Sequence, residues 1–189
     1  MFQSSYKNQL LTVSHALTRR HLRQPQTLIP RFLSHGIVNI SYVQGNPFQK
    51  IVNGQLSYHK VFETDDAIAL LDAFPTVKGH CLLIPKAHNK ATVMDLTENE
   101  ASNFFSQLPK LCRIVQQAMK APGVNVLNNN GKAAGQAVFH LHYHVVPRFE
   151  RDGFQGIRPS KTMITNEEAS EILAAMKPFI DQETKGSSS

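Results

Sequence analysis

The arrangement of apolar runs between turn residues predicts a chain built from short strands and helices. Apolar runs of strand length are separated by the polar residues 64–66 and end before Pro75 and Pro85. Short apolar runs with such boundaries are typical of buried strands. The five predicted strands are residues 57–63, 67–73, 81–84, 124–127 and 138–146. Several short strands combined with a long helix indicate an α+β fold.

Helix start signals occur at two places. A threonine followed three residues later by a glutamate is typical of a capping box at a helix N-terminus. The two pairs are Thr97 with Glu100 and Thr165 with Glu168. After the first pair, apolar residues recur at helical spacing through residue 119, so one long helix is predicted, with a kink at Pro109. The second pair predicts a C-terminal helix, and residues 46–52 predict a short helical turn.

The first 45 residues differ in composition from the rest and are predicted to be a separate segment. They contain five Lys or Arg and no acid, and Leu10, Val13 and Leu17 recur at helical spacing. This composition is typical of a mitochondrial transit peptide, which predicts a mitochondrial protein. The alternative is a disordered basic arm that carries no address, on a cytoplasmic protein. We expect the folded domain at residues 46–180 and a flexible tail at residues 181–189.

The net charge of +6 belongs largely to this N-terminal segment. Removing its five basic residues from the 20 Lys and Arg leaves 15, against 14 Asp and Glu. A nucleic-acid footprint needs basic residues clustered on the folded part, so no nucleic-acid partner is expected. No apolar run approaches the ~20 residues of a membrane span, so no membrane partner is expected either. Cys81 and Cys112 provide no disulfide framework.

Three histidines alternate with apolar residues in the fifth predicted strand. Successive side chains of a strand point to opposite faces, so His140, His142 and His144 are expected to share one face. Packing gives no reason to place three titratable rings there, so a function is indicated. Metal binding and nucleophilic catalysis on phosphate are the two candidate uses. A structural zinc site requires four ligands, which are often cysteines, and this strand neither contains nor flanks a cysteine.

A loop rich in asparagine and glycine, residues 128–137, leads directly into the histidines. Gly131 and Gly135 allow close approach of the backbone to an anion. Asn129, Gln136 and the backbone amides are candidate hydrogen-bond donors. The loop and the histidines together predict a site for the phosphate of a nucleotide.

The segment His140-Leu141-His142-Tyr143-His144-Val145-Val146 matches the signature of the histidine-triad (HIT) superfamily. The chain resembles the bacterial-type hydrolases of that superfamily over roughly residues 46–180, including Ala134-Gly135-Gln136 and Gly79-His80. This resemblance implies a HIT-like α+β fold with an antiparallel five-stranded sheet per protomer, one long helix and a C-terminal helix. It also implies a homodimer, a purine nucleotide as substrate, and catalysis that needs no metal or other cofactor.

The resemblance further implies a role for each matched residue. His142 is the expected nucleophile, His140 and His144 flank it, and His80 supports the triad from behind. Asp72 is expected to bind the ribose hydroxyls, as suits a carboxylate that accepts two hydrogen bonds. The expected base-pocket residues are Phe48, Ile51, Leu70 and Ala73. The expected residues on the phosphate and leaving-group side are Asn129, Gly135, Gln136 and Ala137, together with His144.

Two features of the sequence depart from the pattern of this superfamily. Many relatives carry Ser or Thr at the position of Ala137, where a hydroxyl is thought to help protonate the leaving group. A leaving phosphate needs less protonation than a leaving amine, so Ala137 favours polyphosphate substrates. Bacterial relatives often carry Cys-x-x-Cys at the positions of Asn46 and Gln49, and the zinc bound by some of them is therefore not expected here.

Three functions are consistent with these residues. The leading hypothesis is a hydrolase that releases AMP from a phosphoramidate through a nucleotidyl-histidine. The second is a dinucleoside polyphosphate hydrolase. The third, from another class, is a nucleotide-binding scaffold dimer with little turnover, which the loss of a proton donor at Ala137 would allow.

Overall fold

The computed structural model describes residues 40–185. It contains a five-stranded sheet and four α-helices, which confirms the predicted α+β fold. The strands are β1 (Lys60–Glu63), β2 (Ala67–Leu71), β3 (Cys81–Pro85), β4 (Gly123–Leu127) and β5 (Tyr143–Arg148). The helices are α1 (Pro47–Val52), α2 (Glu98–Ser106), α3 (Leu108–Met119) and α4 (Asn166–Lys185). The order in the sheet is β1-β2-β3-β5-β4, and all neighbouring strands are antiparallel.

Both faces of the central strands are buried, which explains why these strands are apolar without interruption. In β2, Ala67, Ala69 and Leu71 join a large core formed with α2, α3 and α4. The alternate residues, Ile68 and Leu70, join a smaller apolar cluster on the opposite face. This second face carries the candidate site.

The helix predicted across Pro109 is divided into two. Thr97 caps α2 as expected: its hydroxyl accepts from the Glu100 N–H at 3.3 Å, and the Glu100 carboxylate accepts from the Thr97 N–H at 2.8 Å. Helix α2 ends at Ser106, and α3 begins at Leu108. Pro109 lies in the first turn of α3, where a backbone N–H has no partner within the helix to lose. The prediction of one kinked helix was therefore wrong.

The C-terminal helix begins at the second capping box, where the Thr165 N–H donates to Glu168 at 2.9 Å. It continues to Lys185, so residues 181–185, which were predicted to be tail, are helical. Its buried residues Ala169, Ile172 and Met176 pack into the large core. Within residues 40–185, no helix is both long and apolar enough to cross a membrane.

Candidate active site

The three histidines lie where the chain enters β5, and only one of them belongs to the strand. Strand β5 begins at Tyr143, so the prediction of a strand over residues 138–146 was wrong at its N-terminal end. The preceding residues are held by other segments: the Leu141 N–H donates to the Lys90 carbonyl at 2.7 Å. His144 pairs in register with Leu82 of β3, which places its ring on the face of the smaller apolar cluster.

The ring of His142 is held through one of its nitrogens, and in the described part of the chain its other nitrogen makes no hydrogen bond. Its Nδ1 lies 2.7 Å from the carbonyl oxygen of His140. A carbonyl only accepts, so Nδ1 carries the proton and Nε2 keeps its lone pair. Burial lowers the pKa of His142, although the hydrogen bond to His140 and the charge of Asp72 oppose this effect. The ring is therefore neutral at physiological pH, with Nε2 available as a nucleophile.

His144 has the opposite arrangement of ring nitrogens. The Thr76 N–H donates to Nδ1 of His80 at 3.2 Å, so the proton of His80 is on Nε2. That Nε2 lies 3.0 Å from Nδ1 of His144 and donates to it. Nδ1 of His144 is thus an acceptor, and its Nε2 carries a proton that can be donated to a phosphate oxygen. Burial lowers the pKa of His80 to about 4 and that of His144 to about 3, so both rings are neutral.

Asp72 follows β2 and lies beside this histidine pair. Its Oδ1 accepts from the Phe74 N–H at 2.8 Å. Its Oδ2 lies 3.5 Å from Nδ1 of His80 and 3.9 Å from Nδ1 of His144. Burial raises the pKa of Asp72, and the hydrogen bond from Phe74 works against this. The side chain is 16% exposed, so a ligand hydroxyl can reach it.

Both ring nitrogens of His140 are bonded within the protein. Nε2 lies 3.2 Å from the Pro85 carbonyl and must donate, so Nδ1 accepts from the hydroxyl of Tyr42 at 2.7 Å. Burial lowers the pKa of His140 to about 4. His140 therefore supports the site without a free nitrogen for a phosphate. Tyr42 falls in the segment predicted as an N-terminal extension, so the folded part begins earlier than residue 46.

The loop before the histidines has the backbone that its glycines predict, with φ of +89° at Gly131 and +87° at Gly135. The Gln136 side chain accepts from the Gly131 N–H at 2.7 Å and donates to the carbonyls of Ala91 and Val138 at 2.7 and 3.0 Å. Its amide hydrogens are both used. Gln136 thus braces the loop, and the expectation that it is a donor to the phosphate is corrected.

Two other donors of the loop are available. Within residues 40–185, neither the Asn129 side chain nor the backbone N–H of Ala137 makes a hydrogen bond. Asn129 lies next to Gly135, where an added Cβ would be 3.7 Å from its Nδ2. Asn128 has a supporting role, because its side chain donates to the His142 carbonyl at 2.8 Å. The methyl group of Ala137 is exposed and offers no proton.

Three of the four expected base-pocket residues come together on the same face. Ile51 and Leu70 belong to the smaller apolar cluster, and Phe48 packs against it. The Phe48 ring lies 5.0 Å from the ring of His142, so the apolar cluster and His142 are in contact through Phe48. Ala73 is exposed in the turn after β2 and is not part of this cluster.

One group of residues within the described part has the spacing of metal ligands. Ligand atoms of Asp72, His80 and His144 lie within 4.8 Å of one another. Both nitrogens of His80 are already bonded, so an ion here would have to break the hydrogen bond to Thr76 or the one to His144. Asn46 and Gln49 stand where bacterial relatives often carry Cys-x-x-Cys. Their side chains make hydrogen bonds with the first turn of α1 and with the residues that precede it.

Comparison with known proteins identifies the family to which the chain is similar. Residues 53–151, more than half of the chain, match the HIT domain family. The adenosine 5′-monophosphoramidase HNT1 of Saccharomyces cerevisiae is 38% identical over 107 residues, which are 56% of this chain and 65% of that protein. The adenylylsulfatase HINT3 of Arabidopsis thaliana is 37% identical over 105 residues, which are 56% of this chain and 53% of that protein.

A solved structure shows the same fold. The HIT-like protein involved in cell-cycle regulation from Bartonella henselae superposes with a TM-score of 0.65 at 29% sequence identity. The superposition covers 73% of this chain and 98% of that one.

Proposed function

The chain belongs to the histidine-triad (HIT) family, and on that premise we propose that it is a nucleotide hydrolase that releases a nucleoside 5′-monophosphate. The expected product is AMP, and the expected substrates are phosphoramidates. The observation that carries this proposal is the pair of complementary tautomers: Nε2 of His142 has a lone pair, and Nε2 of His144 has a proton. The two rings are 5.0 Å apart.

The proposed reaction has two steps at the α-phosphorus. Nε2 of His142 attacks the phosphorus, a P–N bond to the enzyme forms, and the P–N bond to the leaving amine breaks. His144 donates a hydrogen bond to a non-bridging oxygen, where negative charge develops. Water then attacks the nucleotidyl-histidine, releases the monophosphate and restores the lone pair of His142. The leaving amine takes up one proton from solvent in the first step, and the attacking water gives one proton back to solvent in the second, so the protons balance.

Turnover of a fluorogenic AMP phosphoramidate tests this proposal. We expect the wild-type protein to release the amine, and His142→Ala to lower kcat by at least about 10³-fold, because the nucleophile is removed. His59→Ala is a matched control, since His59 precedes β1, which β2 and β3 separate from β5 in the sheet. Full activity of His142→Ala would contradict the mechanism. Tight AMP binding by a wild-type protein without turnover would favour the scaffold function instead.

A second candidate function is hydrolysis of a phosphoanhydride, such as a dinucleoside polyphosphate. It is favoured because the loop lacks a side chain that could protonate a leaving amine. Ala137 carries no proton donor, and both amide hydrogens of Gln136 are used in hydrogen bonds within the protein. A leaving phosphate departs as a stable anion and does not depend on such a donor. A higher kcat/KM on a diadenosine polyphosphate than on the phosphoramidate would support this candidate, and Ala137→Ser should then raise only the phosphoramidase activity.

We also propose that the protein is a homodimer. The proposal is supported by β4, an edge strand of the sheet that carries Val126 with 40% of its surface exposed. An edge strand presents unpaired backbone groups to a partner. Sedimentation equilibrium should give twice the chain mass of 21.1 kDa, and the monomer mass alone would contradict it.

Mitochondrial targeting by the N-terminal segment is likewise a proposal, supported by the acid-free basic composition of residues 1–45. A presequence that is cleaved off must end before Tyr42, which belongs to the folded part. Residues 1–39 lie outside the described residues. We expect these 45 residues fused to a fluorescent protein to direct it to mitochondria, and replacement of Arg19, Arg20 and Arg23 by glutamate to abolish this. A diffuse distribution of the unmodified fusion would contradict the proposal.

A further inference from the structure

A stretch of chain before α1 runs beside the asparagine- and glycine-rich loop of residues 128–137. An added Cβ at Gly131 would lie 3.0 Å from Cδ1 of Ile40, and the Val43 N–H donates to the Phe139 carbonyl at 3.5 Å. Between these contacts, the hydroxyl of Tyr42 reaches Nδ1 of His140 at 2.7 Å. Residues 40–46 are therefore part of the site that contains the triad.

The capping residue of α1 fixes the position of this stretch. Asn46 is only 6% exposed. Its side chain accepts from the Gln49 N–H at 2.9 Å and donates to the Val43 carbonyl at 2.8 Å. The side chain of Gln49 in turn accepts from the Gly45 N–H. These bonds connect the N-terminus of α1 to the residues that follow Tyr42, so the tyrosine is presented to His140 by an ordered backbone.

The direction of the Tyr42 hydrogen bond follows from the other side of the imidazole. Pro85 offers a carbonyl, which only accepts, so Nε2 of His140 is protonated and Nδ1 is not. The hydroxyl of Tyr42 is therefore the donor. Burial raises the pKa of Tyr42, which keeps that proton in place. The rings of Tyr42 and His140 also contact each other, with centroids 5.5 Å apart.

We propose that Tyr42 is a positioning residue for the nucleophile, acting through His140. The hydroxyl and the Pro85 carbonyl together fix the tautomer and the orientation of the His140 ring. The backbone carbonyl of the same residue holds Nδ1–H of His142 and so aims its Nε2. Without the hydroxyl, Nδ1 of His140 is a buried acceptor with no donor, and the ring must rotate to find one. The role in catalysis rests on the hydrolase function proposed above.

The test compares Tyr42→Phe with Tyr58→Phe in the 189-residue chain. Tyr58 is a matched control because its hydroxyl contacts Glu63 at the surface, at 3.4 Å. Loss of one buried hydrogen bond that orients the nucleophile predicts a fall in kcat of about 10-fold with KM within about twofold for Tyr42→Phe. We expect Tyr58→Phe to match the wild-type protein in both constants.

Nitrogen-15 NMR of histidine-labelled protein gives a second readout that does not require turnover. We expect wild-type His140 as the Nε2–H tautomer with a hydrogen-bonded Nδ1, and Tyr42→Phe should shift the Nδ1 resonance or change the tautomer. An Nδ1–H tautomer in the wild-type protein would overturn the proposal. So would a shifted resonance with unchanged kcat, because the bond would then exist without positioning the nucleophile. If the wild-type protein shows no turnover, the hydrolase function fails, and an unchanged NMR spectrum of Tyr42→Phe would show separately that the bond is absent.

Discussion

Replacement of His80 by leucine tests the reasoning about tautomers, because Nε2 of His80 donates to Nδ1 of His144 and so fixes where the proton of His144 lies. Leucine has a similar volume but no polar atom. The Thr76 N–H loses its acceptor, and Nδ1 of His144 loses its donor. With His80 gone, Oδ2 of Asp72, 3.9 Å from Nδ1 of His144, becomes the nearest partner for that nitrogen. The carboxylate draws the proton of His144 to Nδ1 and leaves a lone pair on Nε2.

The size of the effect follows from what Nε2 of His144 then presents to the phosphate. A donor that stabilises developing charge becomes a lone pair that repels it, and loss of such a donor costs about 10²–10³-fold in rate. We therefore expect His80→Leu to lower kcat/KM at neutral pH by about 10²-fold. The unpaired Thr76 N–H should also lower the free energy of unfolding by about 1–3 kcal/mol.

Steady-state kinetics on the AMP phosphoramidate, together with thermal unfolding followed by circular dichroism, measures both effects. His80→Gln is the matched control, because its amide keeps an N–H for His144 and should retain more activity than leucine. If folded His80→Leu keeps kcat/KM within threefold of the wild-type value, His144 does not depend on His80 for its tautomer. That result would refute the reasoning.

Three further predictions concern pH, packing and the loop. The pKa of His80 in the folded protein, about 4, lies below its ordinary value of 6.5, so the unfolded chain binds more protons between these pH values. The unfolding temperature should therefore fall as the pH drops from 6.5 to 4. An unfolding temperature that does not change over this range would contradict the burial of a neutral His80 ring. Gly79→Ala should lower the free energy of unfolding by about 2–4 kcal/mol, because Gly79 has φ of +84° and an added Cβ would overlap the Met119 side chain; an unchanged denaturant midpoint would be inconsistent with this. Gln136→Ala should lower kcat/KM by about 10-fold through loss of loop order, and faster proteolysis of the loop should accompany it; wild-type kinetics would show that the brace is not needed.

Much of the fold could be predicted because local signals and tertiary packing agree. Strands β2 and β3 are apolar throughout since both of their faces are buried. The capping box at Thr97 formed as the sequence indicated, because its hydrogen bonds join residues three apart and need no distant partner. The division between α2 and α3 was not predicted, since a proline at a given place fits either a kink or the first turn of a new helix.

The site was predicted less completely because its hydrogen bonds join distant parts of the chain. Alternation identified His142 and His144 but not which nitrogen of each carries the proton, which depends on the His140 carbonyl and on His80, 64 residues away from His144. The role of Tyr42 was missed for a similar reason. Its partner is 98 residues away, and the surrounding sequence has the polar, acid-free composition of the N-terminal segment.

Gln136 shows how a correct location can accompany a wrong role. The sequence placed it in the loop beside the histidines, where an amide is a natural phosphate donor. The fold uses that amide to join Gly131, Ala91 and Val138. No pattern within the loop reveals this, because Ala91 belongs to the segment after β3.

The covalent intermediate on His142 is the central claim, and trapping it is the most direct test. Wild-type protein mixed with a radiolabelled AMP phosphoramidate and quenched in alkali should carry one adenylyl group, which peptide mass spectrometry should locate on His142. His142→Ala should carry no label, and His59→Ala should label like the wild-type protein. Label on another residue, or turnover by His142→Ala at the wild-type rate, would contradict the account.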